Sequence, residues 1–159
     1  MKPLMNLDEI DNYEEREHAA FKSKTFSVGD KIGAQNLAYR MTILEPSGKV
    51  CPFHSHRIIE EMFLILEGSG TLRYGDKEYA IKKHDIISCP PGGPEVAHQI
   101  INTSDAELKY LSLSTNESVD ICQYPDSNKT LSFSGKMPNF DFMHISKLED
   151  AVGYYEGEE

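Results

Sequence analysis

Cations are scarce in this chain, and none are gathered where a nucleic acid would need them. Sixteen Lys and Arg face 26 Asp and Glu, a formal charge of −10 over 159 residues, and the basic residues stand singly or in pairs. A phosphate-binding surface needs them clustered, so no nucleic-acid partner is expected. Long apolar runs are missing too. The longest, residues 62–66, falls far short of the ~20 residues a helix needs to cross a bilayer, so no membrane partner is expected either. Cysteine is sparse and odd in number, with three in all, and residues 1–8 lack the apolar core of a secretory signal. Reduced thiols in a cytoplasmic protein fit this better than a disulfide framework. The acid-rich stretches 8–17 and 149–159 read as solvated ends that favour solubility.

What is present is the composition of one ordinary globular domain: 39% hydrophobic and 26% charged residues, enough to bury a core. Residues 1–36 read as an irregular or partly helical arm; 7–20 can form a helix, although its apolar positions are sparse for an amphipathic one. From residue 37 β signals take over. Strands are expected at 37–44, 61–67, 71–74, 77–81, 85–88, 98–101, 108–114 and 119–123. Gly75-Asp76 is a two-residue hairpin signal. The run Cys89-Pro-Pro-Gly-Gly-Pro94 is a rigid loop that cannot lie in a central strand. Short strands at regular spacing, divided by Gly, Pro and Asn/Asp turns, indicate an all-β sandwich or barrel over 37–124. The segment 125–159 is less regular, and its aromatics (Phe133, Phe140, Phe142, Tyr154, Tyr155) are expected to pack on the barrel or on a partner subunit.

The densest chemical signal lies in residues 48–68. His54 and His56, one residue apart in an extended segment, point to the same side because strand side chains alternate. A short turn later, Glu61 heads an apolar strand in which Glu61, Phe63 and Ile65 share a face. If that face points inward, Glu61 rather than Glu60 meets the two imidazoles. His98 shares a face with Ile100 and Asn102 and is the fourth candidate. Three imidazoles and one carboxylate leave two positions open on an octahedral ion, a set suited to Fe, Mn, Ni or Co, with Zn at lower coordination. Cys51 and Cys89 are expected as small buried apolar residues; His18, His84 and His144 have no partner pattern.

These segments resemble the two signatures of the cupin superfamily. The first, G-x5-H-x-H-x3,4-E-x6-G, is met by Gly48, His54, His56, Glu61 and Gly68 without a gap. The second, G-x5-P-x-G-x2-H-x3-N, is met by Pro90, Gly92, His98 and Asn102 with two departures. His84 stands where the opening glycine belongs, a turn position that often has positive φ, and five residues, 93–97, replace the usual two before His98. The resemblance implies a double-stranded β-helix (jelly-roll) barrel with an N-terminal arm and a C-terminal extension. It also implies one divalent metal on His54, His56, Glu61 and His98. Residues 16–18, 90–94, 98–102, 124–127 and 154–158 are similar to a narrower group of single-domain bacterial cupins, some of them labelled sugar-phosphate isomerases.

A metal with two open positions binds a bidentate small molecule and polarises it. Three readings stay open: isomerase or lyase chemistry on an oxygen-rich metabolite, a non-haem iron dioxygenase, and a small-ligand binding or sensing module. Tyr39, Tyr110 and Glu95 are the candidate bases or pocket residues for the first. Arg40, Arg57 and Arg73 are the cations near the pocket segments, but alternation alone does not place them inside, which weighs against a phosphate-bearing substrate. A homodimer is expected from the aromatic C-terminal segment and the arm.

Overall fold

The alternating segments do become strands, and the strands stack as two facing layers. The computed structural model describes residues 2–136 and 139–158. One layer is a six-stranded antiparallel sheet of β1 (Glu14–His18), β2 (Phe21–Ser27), β3 (Leu37–Leu44), β10 (Leu108–Thr115), β5 (Glu61–Glu67) and β8 (Ile86–Cys89), in that spatial order. The other layer comes in two pieces. A four-stranded sheet carries β13 (Asn139–Lys147), β12 (Lys129–Lys136), β11 (Val119–Tyr124) and β4 (Ser55–His56). A three-stranded sheet carries β7 (Lys77–Lys82), β6 (Ser69–Tyr74) and β9 (His98–Ile101). A single antiparallel bridge between His54 and His98 joins the two pieces, so two of the candidate ligands sit on the seam itself.

Strands 37–44, 61–67 and 98–101 form with the expected bounds, and the others shift by one or two residues. Gly75 opens the β6–β7 turn at φ 55°, and His84 does adopt positive φ, 75°, where the family has glycine. Gly68 is required as such: at φ 81° a Cβ would stand 2.3 Å from the Glu107 carbonyl oxygen. Asn102, wholly buried, donates its amide to the carbonyls of Leu44 and Ala106 and accepts from the Ser104 backbone, which closes the turn into β10.

The main core fills the space between the layers with Leu44, Phe63, Ile65, Leu72, Ile81, Ile87, Ile100, Leu108 and Tyr110, and Cys89 joins it as a small buried residue. A second cluster covers the outer face of the six-stranded sheet, where Phe26, Val28 and Met41 pack with Met5, Leu7, Ile10, Tyr13 and Tyr39. Burial on both faces explains why β5 reads apolar at nearly every position.

Two local expectations are overturned. Residues 7–20 form no helix: a three-residue 3-10 turn, Leu7–Glu9, is followed by β1, whose partner is β2. The sparse apolar residues there reach the sheet better from an extended chain than from one helical face. The segment after 125 is a long β12–β13 hairpin rather than irregular chain. Its Phe133 and Phe140 rings are half-buried against each other, 5.1 Å apart, while Phe142, Tyr154 and Tyr155 are exposed. No helix among the described residues is long and apolar enough to cross a membrane.

Candidate metal centre

Strand pairing brings the four candidate residues to one point. Cys89 lies opposite Glu61 on the six-stranded sheet, and Glu61 faces inward while Glu60 is exposed. His56 pairs with Cys122 of β11, and His54 pairs with His98. The longer loop before His98 folds into a 3-10 turn, Pro94–Val96, and reciprocal backbone bonds with His54 (2.7 and 3.2 Å) deliver His98 to its place. The cluster therefore takes one carboxylate from one layer and three imidazoles from the other.

A single atom, Glu61 Oε2, lies 2.8 Å from His98 Nε2, 3.6 Å from His56 Nε2 and 3.8 Å from His54 Nε2. The far nitrogen of each ring is engaged by an oxygen. His54 Nδ1 donates to the Pro52 carbonyl at 2.9 Å, His98 Nδ1 reaches that of Val96 at 3.3 Å, and His56 Nδ1 donates to Asp120 at 2.5 Å. Such bonds orient the rings and aim the Nε2 atoms inward, the arrangement that metal-binding imidazoles need once their Nε2 protons are released. The donor set thus fits a divalent ion.

Electrostatics point the same way. Burial alone would raise the Glu61 carboxyl, but the His98 hydrogen bond and the charges of the neighbouring imidazoles hold it near about 2. Burial would strip the proton from His56, yet Asp120, then Cys122 and Glu61, outweigh it and lift that ring to about 9. The pocket favours positive charge around an ionised carboxylate. The nearby thiol and phenols are neutral: burial pushes the Cys51 thiol up to about 12 and raises the Tyr110 and Tyr124 phenols well above their usual range.

The remaining candidates divide. Tyr110 faces the interior below Glu61, hydrogen-bonded with Thr42. Tyr39 does not line the pocket: it shares the outer face of β3 with Met41 and packs under the N-terminal arm. Glu95 is exposed and accepts from the Gly93 N–H at 2.8 Å, closing its own loop rather than reaching the cluster. Cys51 is only partly buried, with Sγ 3.6 Å from His54 Nδ1.

Two residues escaped the sequence reading. Asp120, fully buried, accepts from both His56 Nδ1 and the Ile58 N–H. Cys122, two residues on, lies with Sγ 3.7 Å from His56 Nδ1 and forms a second metal-capable group with His54 and His56. The available signal was an inverted strand: in Val119-Asp-Ile-Cys122 the aliphatic residues are exposed and the polar ones buried.

Comparison with known proteins agrees with this architecture. Residues 40–114 match the cupin domain family. An uncharacterised protein of Methanocaldococcus jannaschii is 36% identical over 80 residues, 50% of this chain and 54% of that protein; the chain thus spans about half the length of this curated relative. A crystal structure from Acidithiobacillus ferrooxidans, provisionally called a sugar phosphate isomerase, superposes with TM-score 0.83 at 24% identity over 96% of both chains. One from Silicibacter pomeroyi, described as a sugar phosphate isomerase from a cupin superfamily, gives 0.78 at 22% identity over 97% of this chain and 98% of the other. Both signature segments lie inside the matched span, so residues 40–114 of this chain carry the match to the cupin domain.

Proposed function

We propose that the chain holds one divalent metal on His54, His56, Glu61 and His98, and that it acts on a small oxygen-rich metabolite by isomerase- or lyase-type chemistry. The observation that carries this is the convergence of three Nε2 atoms on one carboxylate oxygen, each ring fixed by an acceptor on its far side. A bound metal would supply Lewis acidity to a substrate hydroxyl and carbonyl at its open positions. The chain's own part is positional. Asp120 locks His56, and the His54 and His98 backbones lock each other. Phe63, its ring 5.7 Å from that of His98, makes the wall beneath apolar. Tyr110, neutral and buried, keeps its proton. The two fold relatives named as sugar phosphate isomerases share the fold at identities of 24% and 22%; the reaction class rests on the site.

One observation favours a second reading, a binding module without turnover. Apart from Glu61 and Asp120, both already engaged by the imidazoles, the acidic groups nearest the cluster are thiols and phenols that burial raises, and none is a ready base. The test has two stages. Elemental mass spectrometry of untagged protein should show near-stoichiometric metal, and His56→Ala should lose most of it; full occupancy in the variant overturns the site. Metal-dependent entry of solvent deuterium beside the carbonyl of small hydroxy-carbonyl compounds then marks an isomerase. Binding without exchange marks the module.

A further inference from the structure

All three cysteines of the chain stand around the metal cluster, each beside a different candidate ligand. Cys51 Sγ lies 3.6 Å from His54 Nδ1, the nitrogen that the Pro52 carbonyl already holds. Cys89 pairs with Glu61 across the six-stranded sheet. Cys122 pairs with His56, and side chains directly opposed in an antiparallel pair share one face. Its Sγ lies 3.7 Å from Nδ1 and 4.0 Å from Nε2 of that ring. Strand register thus keeps this thiol beside His56.

The corner around Cys122 is closed by the inward face of β11. Cys122 is 3% exposed, Asp120 on the same face is wholly buried, and Tyr124 on that face is hydrogen-bonded with Cys122. The Tyr124 ring lies 6.2 Å from that of His54, nearly parallel to it at 25°. Pro52 and Asp120 hold the Nδ1 atoms of His54 and His56, which leaves Nε2 of each ring to ligate. Ligand atoms of His54, His56 and Cys122 all lie within 4.8 Å of one another, as do those of His54, Glu61 and His98. His54 is common to both groups. Its ring is 4.9 Å from that of His56 and 4.7 Å from that of His98, whereas those two are 6.4 Å apart. The cluster therefore has two sides, one of nitrogen and oxygen and one of nitrogen and sulfur.

We propose that His54, His56 and Cys122 form a second metal set, which takes a soft, thiophilic ion such as Cu(I) and excludes the four-ligand loading. The proposal goes beyond the metal-centre reading and shares two imidazoles with it. A thiolate among imidazoles selects soft ions, whereas a carboxylate suits harder ones such as Mn(II). Bonds of about 2.0–2.1 Å to nitrogen and about 2.3 Å to sulfur set tetrahedral ligands about 3.5 Å apart. The 4.0 Å between Sγ and His56 Nε2 closes to that spacing with a small shift of one side chain. The ion takes the place of the thiol proton, which leaves to solvent. With His54 and His56 engaged there, Glu61 and His98 are left as two donors, so one loading displaces the other.

The experiment compares Cu(I) and Mn(II) binding to the full chain, kept reduced and free of oxygen. Competition with a chromogenic chelator reads Cu(I), and paramagnetic resonance of the free ion reads Mn(II). Cu(I) should bind and release Mn(II) loaded beforehand. Cys122→Ser should weaken Cu(I) by about tenfold or more and leave Mn(II) affinity within about twofold. Glu61→Gln should do the reverse, and Cys51→Ser should change neither. Cys122→Ala carries the test if the serine variant fails to fold. Ultraviolet thiolate-to-copper absorption, present in wild type and lost in either Cys122 variant, reports the sulfur bond directly. The proposal is overturned by a wild type that binds no Cu(I), by Cu(I) affinity equal in wild type and the Cys122 variants, by its loss in Cys51→Ser instead, or by both ions bound together. Failure of the metal-centre reading looks different: Mn(II) is not taken up, yet Cu(I) binding still falls with Cys122, which supports the sulfur set by itself.

Discussion

The two ends of the barrel interior are built by the same strands and have opposite chemistry. Along β5 the inward residues run Glu61, Phe63, Ile65; along β9 they run His98, Ile100, Asn102. Along β10 they run Ser114, Ser112, Tyr110, Leu108, and along β3 Ala38, Arg40, Thr42, Leu44. Each strand starts small or ionisable at the mouth and reaches a large or apolar residue within two residue pairs, or on β3 within three, at Leu44. Ile65, Leu44 and Leu108 at the closed end are wholly buried, and they set the strand spacing that aims the residues at the open end. Stability and chemistry are thus graded along the strands rather than assigned to separate elements, which lets the mouth vary without unmaking the core.

Mutation at the closed end should produce the largest effect. Ile65→Ala removes a fully buried side chain from the main core and should cost about 2–5 kcal/mol in urea unfolding of the metal-free protein. The surviving folded fraction should bind metal as the wild type does. A matching loss of metal affinity would mean that the two ends are not separable. At the open end, Asp120→Asn keeps an oxygen for the Ile58 N–H but replaces the charged partner of His56. A 10- to 100-fold fall in metal affinity is expected, as for other partners that orient a ligating histidine. Competition with a metallochromic chelator reads it directly, and an unchanged affinity would remove Asp120 from the centre.

The smallest effect belongs outside the barrel. Arg73 on β6 and Asp126 after β11 straddle the seam between the two pieces of the second layer. The Arg73 hydrogen bond holds the Asp126 carboxyl below its ordinary 3.8, although partial burial opposes this. A depressed folded pKa adds stability that is complete above the unfolded value and is lost as pH falls below about 4 through the folded one. With Asp126 half exposed, the pair contributes about 0.2–1 kcal/mol. Wild type should therefore exceed Asp126→Asn by that margin at pH 7, and the gap should narrow as pH falls below about 4. A constant gap would assign the effect to something other than the ion pair.

The site was legible to the extent that its information is local. Gly48, His54, His56, Glu61 and Gly68 lie within one turn and two strand segments, so counting alternate positions put Glu61 and not Glu60 inside. Counting could not place Tyr39, because a strand buried on both faces offers two insides and nothing in β3 alone says which one holds the pocket. Glu95 misled for another reason: its carboxylate is used up by the backbone of its own loop.

By itself the sequence determined most strand positions between residues 37 and 124, the turn glycines and the spacing of the ligand set, because these follow from side-chain alternation and from backbone angles within a few residues. Only the tertiary structure decided that Asp120 would hold a histidine 64 positions earlier, that Arg40 would share a wall with Glu61, and that residues 7–20 would be extended. Those outcomes depend on which strand pairs with which, and in what register. Register is a contest between distant segments for the same buried space, and no single segment carries its result.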